Sequence, residues 1–212
     1  MTTASNLLAF LGLVITLLIV WRQSWPARLR LFTAQSLLLA ALAATVGVLA
    51  QRRGLLLVAA VVVVVKAWVI PRVLARIGSG APVRPIAPGR SSGITLLVAG
   101  TLVVVAYVIM LPVTSAMELP TESAIPLAFA MALIGLALCV TGRDALGHIL
   151  GFLVFENGIF GLAILATYGL PGIVEAGVFL DVLVIVLIME AVVVQVREHD
   201  SIDVDHLREL RG

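Results

Sequence analysis

Charged residues are scarce in this sequence. Only 12% of its 212 residues are charged and 61% are hydrophobic, with a mean hydropathy of +1.17. Soluble globular domains are roughly half apolar and a quarter charged. The composition therefore excludes a soluble domain and indicates a polytopic membrane protein. The net charge of +2 is small, and the basic residues form no patch with interleaved aromatics, which excludes nucleic acid as a partner.

Cysteine is almost absent. The single residue, Cys139, excludes an internal disulfide and any iron–sulfur cluster or cysteine-based zinc site held by this chain alone. We expect Cys139 to be a small apolar residue in a buried helix. The sequence also lacks a haem-ligand pattern and a phosphate-binding loop, so it predicts no bound cofactor or metal.

Long apolar runs dominate the rest of the chain. Seven are long enough to cross a bilayer, at about 4–21, 31–50, 55–77, 94–116, 123–141, 147–168 and 172–195. No two-residue alternation suggests a β-barrel, so the predicted fold is all-α with seven transmembrane helices. Pro26, Gly54, Pro120 and Pro126 mark the predicted helix ends. Residues 1–6 lack the basic region of a secretory signal, so we expect the first run to remain as a helix.

The arginines are divided unevenly between the two ends of these helices. One side receives Arg22, Arg28, Arg30, Arg72, Arg76, Arg84, Arg90, Arg143, Arg197, Arg208 and Arg211. The other side receives Arg52 and Arg53, and Lys66 lies within the third run. Because basic loops stay in the cytoplasm, this predicts an outside N-terminus and a cytoplasmic C-terminus in the inner (cytoplasmic) membrane.

The longest predicted connection divides the chain. Residues Gly78–Gly93 are rich in glycine and proline and predict an irregular cytoplasmic loop. We therefore separate a three-helix part at 1–93, a linking helix at 94–122 and a three-helix part with a cytoplasmic tail at 123–212.

Three ionisable residues lie near the middle of apolar runs. Lys66 has about ten apolar residues on each side, so its side chain reaches an interface poorly and is predicted to face a polar interior. Pro71, one turn later, is predicted to bend this helix. Glu156 and Asp181 each lie about 15 Å into their helices. A charge at that depth costs at least about 2.5 kcal/mol, which favours a functional role over a merely structural one.

The shared depth of these three residues suggests a lateral polar axis. A carboxylate in a dry site near a cation can take up and release a proton, so we predict a proton path through Glu156, Asp181 and Lys66. A protonated residue used only for packing is the alternative for Glu156.

Further candidates lie on the same two helices. Glu175 and Glu190 fall on other faces of the last helix than Asp181. His148, near the cytoplasmic mouth, could pass protons to Glu156 or have no role. Three glycines beside Glu156 are predicted to allow close helix packing: Gly151, Gly158 and Gly161.

The sequence around Glu156 resembles the hydrogenase-4 component E family. The resemblance rests on the stretch GFLVFENG at 151–158 after Arg143, on residues 175–181, and on the tail SIDVDHLRELRG at 201–212. The resemblance to component E is weaker in the N-terminal half of the chain, where it includes Lys66 and Pro71. The last three runs are similar to the K-type subunit of respiratory complex I and to the C-type subunit of multisubunit cation/proton antiporters.

This resemblance implies a non-catalytic membrane subunit of a redox-driven proton or sodium pump, such as an energy-converting hydrogenase or a formate hydrogenlyase-type complex. The implied partners are other membrane subunits, antiporter-like ones among them, together with the lipid bilayer. In the K-type subunit two membrane glutamates carry the proton path. The first maps onto Glu156, and Asp181 comes nearest to the second, about one turn early.

Two other functions remain open at this point. The chain could be a subunit of a multisubunit cation/proton antiporter without a redox partner. It could also be a structural anchor whose buried charges only pair with a neighbouring residue.

Overall fold

The computed structural model describes residues 2–80, 92–117, 119–142 and 144–168, and within these ranges every regular element is helical. The elements are α1 (Thr2–Trp21), α2 (Trp25–Leu49), α3 (Arg53–Val62), a π-helix (Val63–Val69), α4 (Ile70–Gly80), α5 (Ser92–Thr114), a 3₁₀ turn (Glu122–Ala124), α6 (Ile125–Thr141) and α7 (Ala145–Thr167). Because α3, the π-helix and α4 follow one another without a break, we call them together the composite helix.

Six helices in the described ranges are long and apolar enough to cross a membrane. They correspond to the first six predicted runs. The seventh run, at 172–195, lies outside the described residues, and so does the tail at 201–212. The helical fold class and the capacity to span a bilayer are thus confirmed, whereas the count of seven and the orientation stay predictions.

Two predicted boundaries are wrong. The second helix begins at Trp25 rather than near 31, because Pro26 in its first turn has no N–H that needs an acceptor and its fixed φ suits a helix start. The break before α3 falls at residues 50–52, where Gln51 adopts φ 52°, and Gly54 already belongs to the first turn of α3. Pro126 opens α6 as its position suggested.

The composite helix departs from α geometry around Lys66. Seven residues, Val63–Val69, form a π-helix, in which the Ile70 N–H donates to the carbonyl of Val65. Pro71 follows at once and has no N–H to donate to the carbonyl one turn earlier. A π-helix, a feature that often occurs at functional sites, thus lies just before Pro71. The bend at Pro71 stays a prediction.

The helices form two staggered rows. The composite helix, α2 and α1 make one row, and α7, α6 and α5 make the other, with α2 against α7 and α1 against α6. In the second row, α6 and α7 approach so closely that a Cβ on Gly135, Gly151 or Gly158 would meet the backbone of the facing helix. The predicted close packing is confirmed for Gly151 and Gly158, whereas a Cβ on Gly161 would make only ordinary van der Waals contacts.

The apolar core consists of two clusters. The Phe32 cluster contains Ile19, Leu29, Phe32, Ile70, Leu74, Leu150, Leu153 and Val154. The Val46 cluster is larger and includes Leu39, Val46, Val58, Val62, Phe160 and Ile164. On α2, the composite helix and α7, the two clusters occupy opposite halves of each helix. The polar side chains described next lie in the gap between them.

Candidate functional site

A buried ion pair lies at the centre of the bundle. Lys66 is fully buried and Glu156 is 1% exposed. The Lys66 Nζ lies 3.4 Å from the Glu156 Oε2, and the same Nζ lies 5.7 Å from the centre of the Phe160 ring. The prediction that Lys66 faces a polar interior is confirmed, and Glu156 points into the same interior rather than toward lipid.

Asn157 connects this ion pair to the neighbouring helix. The Lys66 Nζ donates to the Asn157 Oδ1 at 3.1 Å. The Asn157 Nδ2 in turn donates to the Gln35 Oε1 and the Ser36 Oγ, each at 3.2 Å. One amide on α7 therefore joins the composite helix to α2 in the middle of the bundle.

The chain of hydrogen bonds continues to α1, and each bond is donated in the same direction along it. The Gln35 Nε2 donates to the Thr16 Oγ1 at 2.7 Å. The Thr16 hydroxyl donates to the backbone carbonyl of Gly12 at 2.8 Å. Each group thus donates a hydrogen bond to the next, from the ammonium of Lys66 to the backbone carbonyl of Gly12, where the chain ends.

We call these six side chains the polar layer: Thr16, Gln35, Ser36, Lys66, Glu156 and Asn157. All six are buried. On α2 the layer lies between Phe32 and Leu39, on the composite helix between Val62 and Ile70, and on α7 between Val154 and Phe160. A single polar level therefore crosses the bundle between two apolar clusters.

The helix geometry positions the two charges. The π-helix places Lys66 on the inner face, where its side chain reaches α7. On α7, Gly158 follows directly after Asn157 and holds the backbone against Ala132 of α6. This contact fixes the depth at which Glu156 and Asn157 enter the layer.

The remaining predicted site residues are not brought together with this pair in the described structure. His148 is exposed in the first turn of α7, where its ring Nδ1 lies 2.7 Å from the carbonyl oxygen of Asp144. Eight residues separate it from Glu156, which is about 12 Å along the helix axis. Asp181, Glu175 and Glu190 lie outside the described residues. Within the described ranges, no three His, Cys, Asp or Glu side chains gather as metal ligands.

Sequence reasoning missed four members of the layer. Asn157, Gln35, Ser36 and Thr16 are uncharged, and the search by depth considered only ionisable groups. The same criterion applied to amides would have singled out the Gln35–Ser36 pair in the apolar run of α2. Thr16 carries a weaker signal, because a threonine in an apolar helix often bonds the carbonyl four residues earlier, as it does here.

Comparison with known proteins gives two full-length relationships. The chain is 37% identical over 204 residues to the uncharacterized protein Rv0085 of Mycobacterium tuberculosis, with 94% of this chain and 93% of that protein covered. The chain belongs to the same family as that protein. No protein-family model and no solved structure matches it.

The second relationship is to a protein whose name identifies it as a hydrogenase-4 component. It is 26% identical over 209 residues to hydrogenase-4 component E of Escherichia coli strain K12, with 98% of this chain and 97% of that protein covered. The component E of Shigella flexneri matches with the same figures. This full-length match supports a family relationship with hydrogenase-4 component E. The expected similarity to K-type and antiporter C-type subunits is not tested by these comparisons.

The Lys66–Glu156 pair can exchange a proton. Lysine and glutamate can each hold or release a proton, and their neutral and charged forms interconvert when one proton moves between Nζ and Oε2. The side-chain amides of Asn157 and Gln35 cannot do this at ordinary pH. They can hold the Lys66 ammonium in place and satisfy one another in a medium without water.

Proposed function

We propose that the chain is a non-catalytic integral membrane subunit of a redox-driven, ion-pumping complex of the hydrogenase type, and that its polar layer is part of a lateral proton path. The relationship to hydrogenase-4 component E supports the assignment to such a complex. The observation that carries the proton path is the buried contact between Lys66 and Glu156 at mid-depth. Ionisable groups in membrane interiors usually mark proton or ion routes.

The direction of hydrogen bonding limits where the path can run. On the side of α2 and α1, amides and a hydroxyl transfer no net charge, and the chain ends at the Gly12 carbonyl. Protons must therefore leave the Lys66–Glu156 pair on another side. We propose that they continue from Glu156 toward Asp181 of the seventh predicted span and from there to neighbouring membrane subunits.

Two isosteric substitutions test this proposal: Glu156→Gln and Asp181→Asn. Each removes one proton-exchanging group while it keeps the size of the side chain. In inverted membrane vesicles of the native host, we expect redox-driven proton uptake to fall at least about tenfold, as for the loss of a positioned acid–base group. Uptake is followed with a pH-sensitive dye, and assembly by co-purification on a tag at the chain's C-terminus.

Glu122→Gln is the matched control, because it makes the same chemical change in the 3₁₀ turn before α6, outside the polar layer. It should leave both uptake and assembly unchanged. Normal uptake in Glu156→Gln and Asp181→Asn would refute the proton path. Loss of assembly in Lys66→Ala or Glu156→Ala, with uptake intact in Glu156→Gln, would instead indicate a structural anchor. Co-purification of ion-transport subunits without any redox protein would favour the antiporter alternative.

A further inference from the structure

A cleft of about 410 Å³ opens on the outer surface of the bundle, between the start of α2 and the end of the composite helix. Its walls carry two tryptophans, Trp25 and Trp68, and two arginines, Arg30 and Arg72. All four residues lie within helices that can span the membrane. The cleft is separate from the polar layer, although its floor includes Ala67, the neighbour of Lys66 in the chain.

Arg72 extends toward the membrane interior. Its guanidinium carbon lies 4.2 Å from the centre of the Trp68 ring, and its Nη1 donates to the Trp68 carbonyl at 3.3 Å. Because the composite helix ends at Gly80, Trp68 lies about 6 Å deeper than Arg72 along the axis. Arginines near a helix end ordinarily extend the other way, toward water. Stacking on Trp68 holds this one in the cleft.

Arg30 brings a second guanidinium to the same cleft from α2. Its Nε donates to the Pro26 carbonyl at 3.4 Å, and its side chain is exposed. Within the described ranges, neither Arg30 nor Arg72 forms an ion pair with a carboxylate. The indole Nε1 of Trp25 is buried there and has no acceptor among the described residues. Two cations and one N–H donor thus line an apolar cleft to which the described part of the chain supplies no anion.

We propose that this cleft binds an anionic phospholipid. Its phosphate lies nearest Arg30 and the Trp25 N–H, toward the helix ends. Its acyl chain runs inward along the apolar wall, and Arg72 adds positive charge deeper in the cleft. Guanidinium groups match the geometry of phosphate oxygens. Basic pockets between membrane helices on the cytoplasmic side are typical sites for anionic headgroups, and a tryptophan near a helix end, as Trp25 is, favours the headgroup level. The charge of the cleft therefore favours a phosphodiester lipid over a zwitterionic one. This site is independent of the proton path.

Native mass spectrometry of the full chain in mild detergent tests the proposal. The protein is incubated with an equimolar mixture of phosphatidylglycerol and phosphatidylcholine, and the lipids retained after desolvation are counted. The wild-type chain should retain phosphatidylglycerol in preference to phosphatidylcholine. Arg30→Gln/Arg72→Gln should reduce the retained phosphatidylglycerol at least fivefold. Trp68→Leu, which keeps both charges but removes the surface that holds Arg72, should reduce it as well.

Arg52→Gln/Arg53→Gln is the control, because it removes two positive charges at the opposite end of the bundle and should leave retention unchanged. If this control loses as much phosphatidylglycerol as Arg30→Gln/Arg72→Gln, or if the wild type retains phosphatidylcholine equally well, the proposal is overturned.

Release of the lipid by inorganic phosphate at low millimolar concentration would identify a free-anion site instead. A photo-crosslinker at Ala75 should capture lipid in the assembled complex, and capture of a protein chain would show that a partner occupies the cleft. If Arg30→Gln/Arg72→Gln does not fold, Trp68→Leu and the crosslinker decide between these outcomes.

Discussion

At the scale of single residues, the contact between Lys66 and Glu156 joins two groups that would each be costly to bury alone. The ammonium has the carboxylate at 3.4 Å, the Asn157 oxygen at 3.1 Å and the face of Phe160 nearby. Breaking a buried pair leaves an uncompensated charge, whereas replacing both partners with apolar groups is often neutral. Replacing only Lys66 or only Glu156 should therefore destabilise the bundle more than replacing both.

Lys66→Met should lower the free energy of unfolding by about 3–5 kcal/mol, because Glu156 stays buried without its cation. The double variant Lys66→Met/Glu156→Leu should recover most of that loss. Thermal unfolding of the purified chain in detergent measures both. Losses that simply add in the double variant would show that the two side chains do not depend on each other.

The sequence alone predicted two members of this site, Lys66 and Glu156. Lys66 and Glu156 could be singled out because a charge in the middle of an apolar run is costly and therefore rarely incidental. Their mutual contact could not be predicted, because α7 is apolar around most of its circumference, so no stripe indicates which of its faces meets the composite helix. The partners Asn157 and Gln35 became recognisable only once the helices were placed side by side.

At the scale of elements, the glycines of α6 and α7 determine how closely the two helices approach. A Cβ at Gly158 would meet the backbone of Ala132, which cannot move aside as a flexible side chain could. Gly100 of α5 has open space around its Cα. Alanine substitutions at these two mid-helix glycines therefore distinguish the effect of helix packing from that of helix propensity.

Gly158→Ala should destabilise the chain by about 1–3 kcal/mol, because the added methyl group forces α6 and α7 apart. Gly100→Ala should be neutral or stabilising by up to about 1 kcal/mol, since alanine favours the helix and meets no neighbour. Thermal midpoints in one detergent compare the two variants. A Gly158→Ala protein as stable as the Gly100→Ala protein would contradict the close packing of α6 against α7.

The π-helix shows the limit of sequence reasoning at this scale. Pro71 predicted a bend in the composite helix, and the structure has a π-helix just before that proline. Its form depends on how the N–H groups before the proline find acceptors, such as the Ile70 N–H with the Val65 carbonyl. The inward position of Lys66 follows from that local register, which the order of residues alone does not reveal.

At the scale of the whole molecule, the described helices place the basic residues in two groups. Arg22, Arg28, Arg30 and Arg72 lie toward one end of the bundle, whereas Arg52 lies at the opposite end beside α3. The first six apolar spans were predicted from their length and composition, and six helices in the described ranges correspond to them. Orientation depends on the membrane and the insertion machinery, so it stays a prediction from the arginine distribution.

Ser24→Cys and Ser115→Cys test this orientation. Both serines are exposed and lie at opposite ends of the bundle. In a Cys139→Ser background, a membrane-impermeant maleimide should label Ser115→Cys in right-side-out vesicles and Ser24→Cys only in inverted ones. The reverse pattern would place the N-terminus in the cytoplasm.

The two apolar clusters on either side of the polar layer have an electrical consequence. Within the described helices, a proton held by Glu156 is separated from each aqueous phase by roughly half the hydrocarbon thickness, about 15 Å. The described helices therefore insulate the layer from both sides of the membrane, so a change of charge within it need not discharge the voltage that the proposed complex would build up.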